Sequence, residues 1–198
     1  MQVVVIDPSP MFCEGMARSL VPGGYAILAC ASDAATGLPQ AHALQPHVII
    51  LGPHLYEDRS LALCRELTRQ LPLSKVIVIT EQADDALFQA DAAYSGAAAC
   101  LPVEVSGQAC LCAIEAISAG YVLFPHDILS QAFQPPVLTE RERAVLRLLA
   151  EGKGNREVAA ILKLARSTVR NPSQRILKKL GVHSRAEAVR RARRRGWI

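Results

Sequence analysis

Two groups of residues in the sequence have types and spacings that could support chemistry. The first group follows four β-branched segments: Asp7-Pro8, Gly52-Pro53, Thr80-Glu81 and Pro102-Val103. If these segments are parallel strands of one sheet, the four dipeptides lie at its carboxyl edge, where α/β folds place ligands and reacting groups. The second group is a series of basic and amide side chains between positions 166 and 195, which suits contact with a polyanion.

The parts of an enzyme are missing from both groups. The sequence has no glycine-rich phosphate loop, no metal-cluster spacing and no nucleophile set beside a base. Cys110 and Cys112 are separated by one residue, which is not a metal-binding spacing, and no pair of histidines stands near them. We therefore predict a protein that is not an enzyme, with no catalytic residues, no metal and no cofactor.

The first 125 residues alternate short β-branched runs with helix-length amphipathic stretches. The periodicity predicts strands at Val3–Asp7, Tyr25–Cys30, Val48–Leu51, Val76–Thr80 and Ala97–Leu101, and helices near 10–20, 33–44, 58–71, 83–95 and 106–119. This alternation predicts a doubly wound α/β domain with a five-stranded parallel sheet, because parallel strands need crossover connections. The segment after it has two proline sites and no clear period, which is typical of a linker. We predict an α/β domain over 1–122, a linker over 123–136 and a second domain over 137–198.

Charge changes sign between the two predicted domains. Residues 1–134 carry 5 Lys/Arg against 13 Asp/Glu, a balance of −8, whereas residues 135–198 carry 17 against 5, a balance of +12. A basic domain that follows an acidic one indicates that only the second meets a polyanion. No apolar run approaches the roughly 20 residues that span a bilayer, and the chain begins without the features of a signal peptide. We expect a cytoplasmic protein that does not enter a membrane.

The basic segment reads as four short helices. Thr139 and Glu142 form a predicted capping box that opens the first helix, Asn155 is the predicted cap of the second, and Ser184 with Glu187 opens the fourth. The third, over 167–181, has an apolar face and a basic or amide face. Two helices joined by a tight turn, the second of them amphipathic and basic, can lay a helix in the major groove of DNA. We predict a small all-α helix-turn-helix domain.

From Leu138 to about Trp197 the sequence resembles the LuxR-type helix-turn-helix domain of NarL/FixJ-type response regulators. The resemblance rests on Leu138-Thr139-Glu140-Arg141-Glu142, Thr168-Val169-Arg170 and Ile176-Leu177-Lys178-Lys179-Leu180-Gly181-Val182. It implies that Arg170, Asn171 and Gln174 contact base edges and that Arg166, Thr168, Lys178 and Ser184 contact phosphates. Arginine suits guanine and amides suit adenine, which agrees with those roles. For Lys179 and the run Arg190–Arg195, general electrostatics or a solvated face is an equally good interpretation.

The resemblance breaks at two positions of the third helix. Pro172 stands where the family usually has His, and Ala165 stands where it has a Ser cap. A proline inside a helix costs about 3 kcal/mol, yet Asn171-Pro172-Ser173-Gln174 would itself be a good helix start. We predict that the recognition helix either begins late, at Pro172, or is kinked there.

The first domain resembles a receiver domain that has lost its chemistry. The resemblance rests on Val4-Val5-Ile6-Asp7, Val48-Ile49-Ile50-Leu51, Val76-Ile77-Val78-Ile79-Thr80 and Ser95-Gly96-Ala97. A receiver needs an acid pair for Mg²⁺, an aspartate as phosphate acceptor and a lysine. Here the pair is Asp7-Pro8, the acceptor position is Gly52 and the lysine position is Val103, although Thr80 remains. The resemblance implies an atypical receiver with a degenerate phosphorylation site, and Glu57 and Asp58 are interpreted as helix-entry charges rather than substitute acceptors.

The sequence thus favours a phosphorylation-independent transcription regulator that binds double-stranded promoter DNA as a homodimer, with RNA polymerase as a further candidate partner. Three alternatives stay open. The chain could pair with another regulator without reading DNA itself. It could sense a ligand in an apolar space left by Gly52 and Val103, or respond to oxidation at Cys100 or at Cys110 and Cys112. An enzyme on the α/β domain is the remaining class.

Overall fold

The computed structural model describes residues 1–133, 138–162 and 166–198. The side chains at positions 57, 58, 131 and 166–172 lie outside that description. The chain divides into two compact units, Met1–Phe133 and Gln134–Ile198. Within the described residues, every helix is too short or too polar to cross a membrane.

The N-terminal unit is the predicted doubly wound α/β fold. Its sheet has five parallel strands in the order β2-β1-β3-β4-β5, and the chain passes through a helix between each strand and the next. The strands are β1 (Gln2–Ile6), β2 (Ala26–Ala31), β3 (Val48–Leu51), β4 (Lys75–Thr80) and β5 (Ala99–Pro102). The helices are α1 (Pro10–Leu20), α2 (Ala34–Leu44), α3 (Glu57–Gln70), α4 (Ala86–Tyr94) and α5 (Gly107–Ser118).

Both faces of the sheet are covered, which explains why its central strands are apolar at every position. Val3 and Val5 of β1 pack with side chains of α1 and α5, whereas Val4 and Ile6 pack with side chains of α2, α3 and α4. All four residues of β3 are fully buried. Burial on two faces removes the need for an alternating polar position and makes the strands continuous apolar runs.

The predicted linker is wrong over much of its length, because residues 126–133 form helix α6 (His126–Phe133). Ile128 and Ala132 lie four residues apart, so they fall on one helix face, and they pack against Ala90 and Ala93 of α4. Leu123 also extends the sheet, where its amide donates to the carbonyl of Ala98. The apolar pair that orders this segment is too short a pattern to stand out in the sequence. Residues 134–136 lie outside the described part of the chain.

The described residues of the C-terminal unit form four helices: α7 (Glu140–Ala150), α8 (Asn155–Ile161), α9 (Arg166–Leu180) and α10 (Arg185–Arg194). Its core contains Val145 and Leu146 of α7, Val158 of α8 and Ile176 of α9. The predicted capping box at Thr139 and Glu142 is present, with both reciprocal hydrogen bonds. The cap of α8 is Gly154 rather than the predicted Asn155, and Glu157 accepts a hydrogen bond from the Gly154 amide.

The recognition helix does not begin at Pro172. Helix α9 runs from Arg166 to Leu180 without interruption, so the prediction of a late start is wrong. Six residues of α9 precede Pro172, and they lengthen the helical surface by almost two turns. A kink at Pro172 stays a prediction, and the predicted loss of the cap at Ala165 concerns a residue outside the described part.

Candidate nucleic-acid interface and strand-end site

The sheet brings the predicted strand-end residues to one edge. Asp7 follows β1, Gly52 follows β3, Thr80 ends β4 and Val103 follows β5, and these four strands are consecutive neighbours in the sheet. All of them are parallel, so their carboxyl ends point the same way. The sequence therefore predicted correctly where these positions meet, although their identities leave a single carboxylate among them.

That carboxylate, Asp7, is buried and bonded on both oxygens. Its side chain has no exposed surface. Oδ1 accepts hydrogen bonds from the Ser9 amide at 2.7 Å and from Nδ1 of His54 at 2.9 Å, and Oδ2 accepts from the His54 amide at 2.9 Å. A buried carboxylate without donors is very costly, so these three bonds are what permits Asp7 to stay in the interior.

His54 is the residue that the sequence prediction missed. Its imidazole is about half exposed and lies edge-on to Phe12, with the ring centroids 6.1 Å apart. Because a carboxylate oxygen accepts, the Nδ1 atom of His54 is the donor in this contact. A signal was available, since a lone carboxylate at a strand end needs a donor and His54 follows the neighbouring strand.

Gly52 leaves no room for a side chain. A Cβ atom at this position would lie 2.2 Å from Oδ2 of Asp7 and 2.6 Å from its Cβ and Cγ atoms. The Gly52 amide donates to the carbonyl of Ile6 at 2.9 Å, which holds the two backbones together. The space expected from the loss of a side chain at position 52 is therefore filled by Asp7, and the suggested apolar ligand site does not form at this point.

The other predicted strand-end positions differ in burial and in the polar atoms that they offer. Thr80 is buried, and its hydroxyl accepts from the Gln82 amide at 3.1 Å. Pro8 is exposed and Val103 is partly exposed, and neither side chain offers a polar atom. Glu57 and Asp58 begin α3, but their side chains lie outside the described set. Among the described residues, no three His, Cys, Asp or Glu side chains converge as a metal site would require.

The cysteines considered for redox sensing are poorly suited to it. Burial raises the pKa of Cys100 to about 12 and that of Cys110 to about 11, so both thiols stay protonated at neutral pH. Cys110 is buried in α5 and Cys112 is exposed, because positions two apart point to different sides of a helix. These two residues cannot pair within α5.

In the C-terminal unit, helix α9 presents a polar surface opposite its buried face. Ile176 and Leu180 are buried, whereas Gln174 and Lys178 are exposed and lie one turn apart on the same side. The side chains of Arg166, Thr168, Arg170 and Asn171 are outside the described set, so their predicted DNA contacts stay predictions.

Lys179 forms an ion pair with a residue of another helix. Its Nζ atom lies 2.8 Å from Oε2 of Glu142, and the same carboxylate oxygen accepts from the amide and hydroxyl of Thr139. Burial alone would raise the pKa of Glu142, but the hydrogen bonds from Lys179 and Thr139 lower it overall. This ion pair joins α7 to α9 and fixes the position of the recognition helix.

The basic C-terminal segment is only partly a solvated face. Ser184 is exposed and caps α10, where its hydroxyl oxygen accepts from the Glu187 amide at 3.2 Å while its O–H is left to donate. Arg191 and Arg195 are 9% and 4% exposed, and the Arg195 guanidinium lies 5.9 Å from the centre of the Trp197 ring. In the run Arg190–Arg195, two arginines therefore belong to the interior of the unit.

Arg185 ties the start of α10 to the end of α7. Its guanidinium donates to the carbonyls of Leu149 and Lys153. Arg185 also borders a cavity of about 640 Å³ together with Leu149, Arg156, Ser173 and Ala188. The cavity lies on the buried side of α9, away from Gln174 and Lys178.

Comparisons with known proteins agree with this division. The family model for bacterial regulatory proteins of the luxR family (GerE) matches residues 136–192. The chain is 24% identical to the transcriptional regulatory protein DegU of Brevibacillus brevis, over 100% of this chain and 94% of that protein. It is 29% identical to the nitrate/nitrite response regulator protein NarP of Escherichia coli (strain K12), over 95% of this chain and 92% of that protein.

A solved structure of two RcsB dimers bound to two parallel DNAs has the same fold, with a TM-score of 0.74 and 21% identity over 96% of this chain and 95% of that one. The luxR-family match falls on the basic unit that carries α9, and the full-length relatives are regulators that share both units. The chain is therefore a DNA-binding transcription regulator of the response-regulator type, with a luxR-family helix-turn-helix domain in its C-terminal unit.

Proposed function

We propose that this regulator binds promoter DNA as a homodimer without phosphorylation of its N-terminal unit. The observation that carries the proposal is the state of Asp7, whose carboxylate is buried and accepts three hydrogen bonds from within the chain. Mg²⁺ requires oxygen ligands in near-octahedral geometry, and phosphoryl transfer requires a nucleophile in line with that metal. Asp7 cannot serve a metal in this arrangement without losing its present donors, and Gly52 supplies no nucleophile.

The DNA-binding half of the proposal rests on α9. Gln174 and Lys178 occupy its exposed side, and Ile176 and Leu180 hold its other side in the core. We assign base-edge contacts to Gln174 with Arg170 and Asn171, and phosphate contacts to Lys178 and Ser184 with Arg166 and Thr168. Base contacts carry sequence information, whereas phosphate contacts set register and affinity.

The dimer follows from the geometry of helix-turn-helix recognition. Two recognition helices on half-sites about one helical turn apart bind a palindrome more tightly than one helix alone. RcsB has been solved as dimers on DNA, and its fold covers this chain almost completely. Contact with RNA polymerase is an extension of promoter binding, and it stays a prediction.

Phosphorylation is tested with the intact chain, acetyl phosphate or beryllofluoride, and Mg²⁺. We expect no added mass of a phosphoryl group and no Mg²⁺-dependent change in oligomeric state or DNA affinity. A response regulator with a complete acidic site serves as the positive control. A Mg²⁺-dependent modification of the chain, located by peptide mapping, would contradict the proposal.

DNA reading is tested on genomic fragments selected by the protein and on random DNA of equal length, across a range of salt concentrations. We expect Gln174→Ala to relax the preference at one base pair by about 1–3 kcal/mol, because an amide reads adenine. Lys178→Ala should weaken binding to both DNAs alike and lower the salt slope by about one. Gln108→Ala, at an exposed glutamine of α5, is the matched control.

The second candidate function is an interaction protein that pairs with another regulator. Pro172 inside α9 favours it, because a distorted recognition helix would read bases poorly. Equal affinity for selected and random DNA at every salt concentration would overturn specific DNA reading and leave this candidate.

A further inference from the structure

The cavity of about 640 Å³ in the C-terminal unit has no part in the DNA contacts assigned above. It lies between the end of α7, the start of α8, the buried side of α9 and the start of α10. Its apolar lining comes from Leu149, Ile176, Leu177 and Ala188. Leu177 is only half-buried, so part of this apolar surface remains in contact with water. Cavities of about 300 to 1,000 Å³ are the usual size of sites for small organic molecules.

The guanidinium of Arg185 borders the cavity, and one of its nitrogens is already bonded. Its Nη2 group donates to the carbonyls of Leu149 and Lys153, at and just beyond the end of α7. A guanidinium has five N–H donors, so three remain on Nε and Nη1. Within the described part of the chain, these three donors have no partner. Arg185 is half-buried, so an anion bonded to it would be partly shielded from water, which strengthens the attraction.

A second cation, Arg156, borders the same cavity from α8. It is exposed and forms no hydrogen bond or ion pair with the described residues. Glu157 also borders the cavity, but its Oε2 atom accepts from the Gly154 amide at 2.7 Å and thereby caps α8. Two arginines and one glutamate leave the lining with a net charge of +1. The charge of the lining therefore suits a ligand with one negative charge.

We propose that this cavity binds an organic monocarboxylate that has an apolar body. The carboxylate accepts hydrogen bonds from Arg185 and Arg156, and the apolar body covers Leu149, Ile176 and Leu177. Charge-assisted hydrogen bonds orient such a ligand, and removal of apolar surface from water adds affinity. An uncharged apolar molecule would forgo the bonds to both guanidinium groups. A small ion such as acetate would leave the apolar lining wet.

The site goes beyond the proposed DNA binding and does not rest on it. Gln174 and Lys178 lie on the exposed side of α9, whereas the cavity lies behind that helix. A ligand that binds only the folded chain stabilises it according to its concentration and affinity. Because every lining residue belongs to the C-terminal unit, the ligand should stabilise that unit and not the N-terminal one.

The test titrates the full-length chain, without DNA, with octanoate, acetate and 1-octanol. Methyl NMR spectra locate the binding, and thermal unfolding measures the stability of each unit. We expect octanoate to shift the methyl signals of Leu149, Ile176, Leu177 and Ala188 in a saturable way and to raise the unfolding midpoint of the C-terminal unit. Acetate and 1-octanol should each bind about tenfold more weakly, because each lacks one half of the ligand.

Variants of the lining test the part that charge plays. Arg156→Gln should weaken octanoate binding about threefold, because an exposed cation is lost. Glu157→Gln should strengthen it about twofold, because a negative charge is removed while an oxygen is kept to accept from the Gly154 amide. Arg190→Gln, at an exposed arginine of α10 outside the lining, is the matched control and should leave the affinity unchanged.

Three results would overturn the proposal. The first is the absence of saturable shifts at the lining methyl groups in octanoate. The second is binding of 1-octanol as tight as that of octanoate, which would mean that the arginines do not select a carboxylate. The third is an equal loss of affinity in Arg156→Gln and Arg190→Gln, which would show general attraction to a basic unit rather than a site.

Discussion

The two units of this protein treat their polar side chains in opposite ways. In the N-terminal unit the strand-end carboxylate of Asp7 is buried, and its three donors come from Ser9 and His54. In the C-terminal unit Gln174 and Lys178 stand exposed on α9, while Glu142 and Lys179 hold that helix from the other side. A polar group that is satisfied inside the chain supports the fold, and a polar group left exposed on a rigid element is available to a partner.

This comparison separates two uses of residues that look alike in sequence. The sequence predicted Asp7 at the metal-ligand position of a receiver, but its carboxylate is bonded as that of a structural residue would be. Lys179 lies in a basic recognition helix but pairs with Glu142 of α7. Residue type and motif position therefore give the candidates, and burial with hydrogen-bond partners decides between structure and binding.

Asp7→Ala is the substitution with the largest expected effect on the stability of the N-terminal unit. If Asp7 is structural, its removal leaves the Ser9 and His54 amides without their acceptor, and the N-terminal unit should lose about 3 kcal/mol of unfolding free energy. Denaturant unfolding followed by circular dichroism measures the loss. Asp33→Ala is the control, because Asp33 is an exposed N-cap of α2 and its loss should lower the unfolding free energy clearly less than the loss of Asp7. Equal losses in the two variants would contradict a special role for Asp7.

Pro172→Ala tests whether α9 carries a strained residue. Helix α9 is continuous across position 172, where proline lacks an amide and crowds the carbonyl four residues earlier. Replacing it with alanine should stabilise the C-terminal unit by about 2 kcal/mol, seen as a higher midpoint for the unfolding of that unit. DNA affinity measured on the same variant shows whether the proline weakens or shapes recognition. A fall in stability would mean that the proline fits the helix better than its type predicts.

Gly52→Ala sharpens the account of the strand-end site. The added methyl group would overlap Asp7 Oδ2, so it should cost about 1–2 kcal/mol in unfolding free energy. The same substitution at Gly15, where an added Cβ meets no atom within 4 Å, should be neutral or slightly stabilising. In the variant with both Asp7→Ala and Gly52→Ala the losses should not add, because the two residues are in contact.

Glu142→Gln probes the ion pair behind the recognition helix, with an expected loss of about 1 kcal/mol. The pKa of Glu142 is lowered from its ordinary value of 4.5, so its contribution to stability is present above that value and is lost as the pH falls through the lowered pKa. The difference in stability between the native chain and Glu142→Gln should therefore shrink between about pH 5 and pH 3. A difference that stays constant over this range would show that the charge on Glu142 does not matter.

Local patterns in the sequence predicted most of the fold. The β-branched runs located all five strands within two residues, because burial on both sheet faces leaves a continuous apolar run that is easy to recognise. Thr139 and Ser184 were identified as helix caps because their partners lie three residues away. Helix α6 was missed, since its order depends on Ala90 and Ala93 of another helix.

The candidate sites were harder to predict than the fold because they depend on contacts between distant residues. His54 meets Asp7 across 47 residues, and only the conformation of the loop after β3 brings its Nδ1 atom within 2.9 Å. Packing between helices also decides whether an arginine such as Arg191 is buried or exposed. A run of basic residues in the sequence does not show which of its members are buried.

The close approach of Asp7 to Gly52 also limits which residues can replace this glycine during evolution. A single mutation that places an acidic residue at position 52 would put the Cβ atom of that residue 2.2 Å from Oδ2 of Asp7. The overlap would destabilise the fold before the new carboxylate could bind a ligand. Asp7 in turn cannot leave the interior while His54 and Ser9 hold it. A lineage with this arrangement can gain an acidic side chain at position 52 only together with changes at Asp7 and its donors, so glycine at this position is easy to keep.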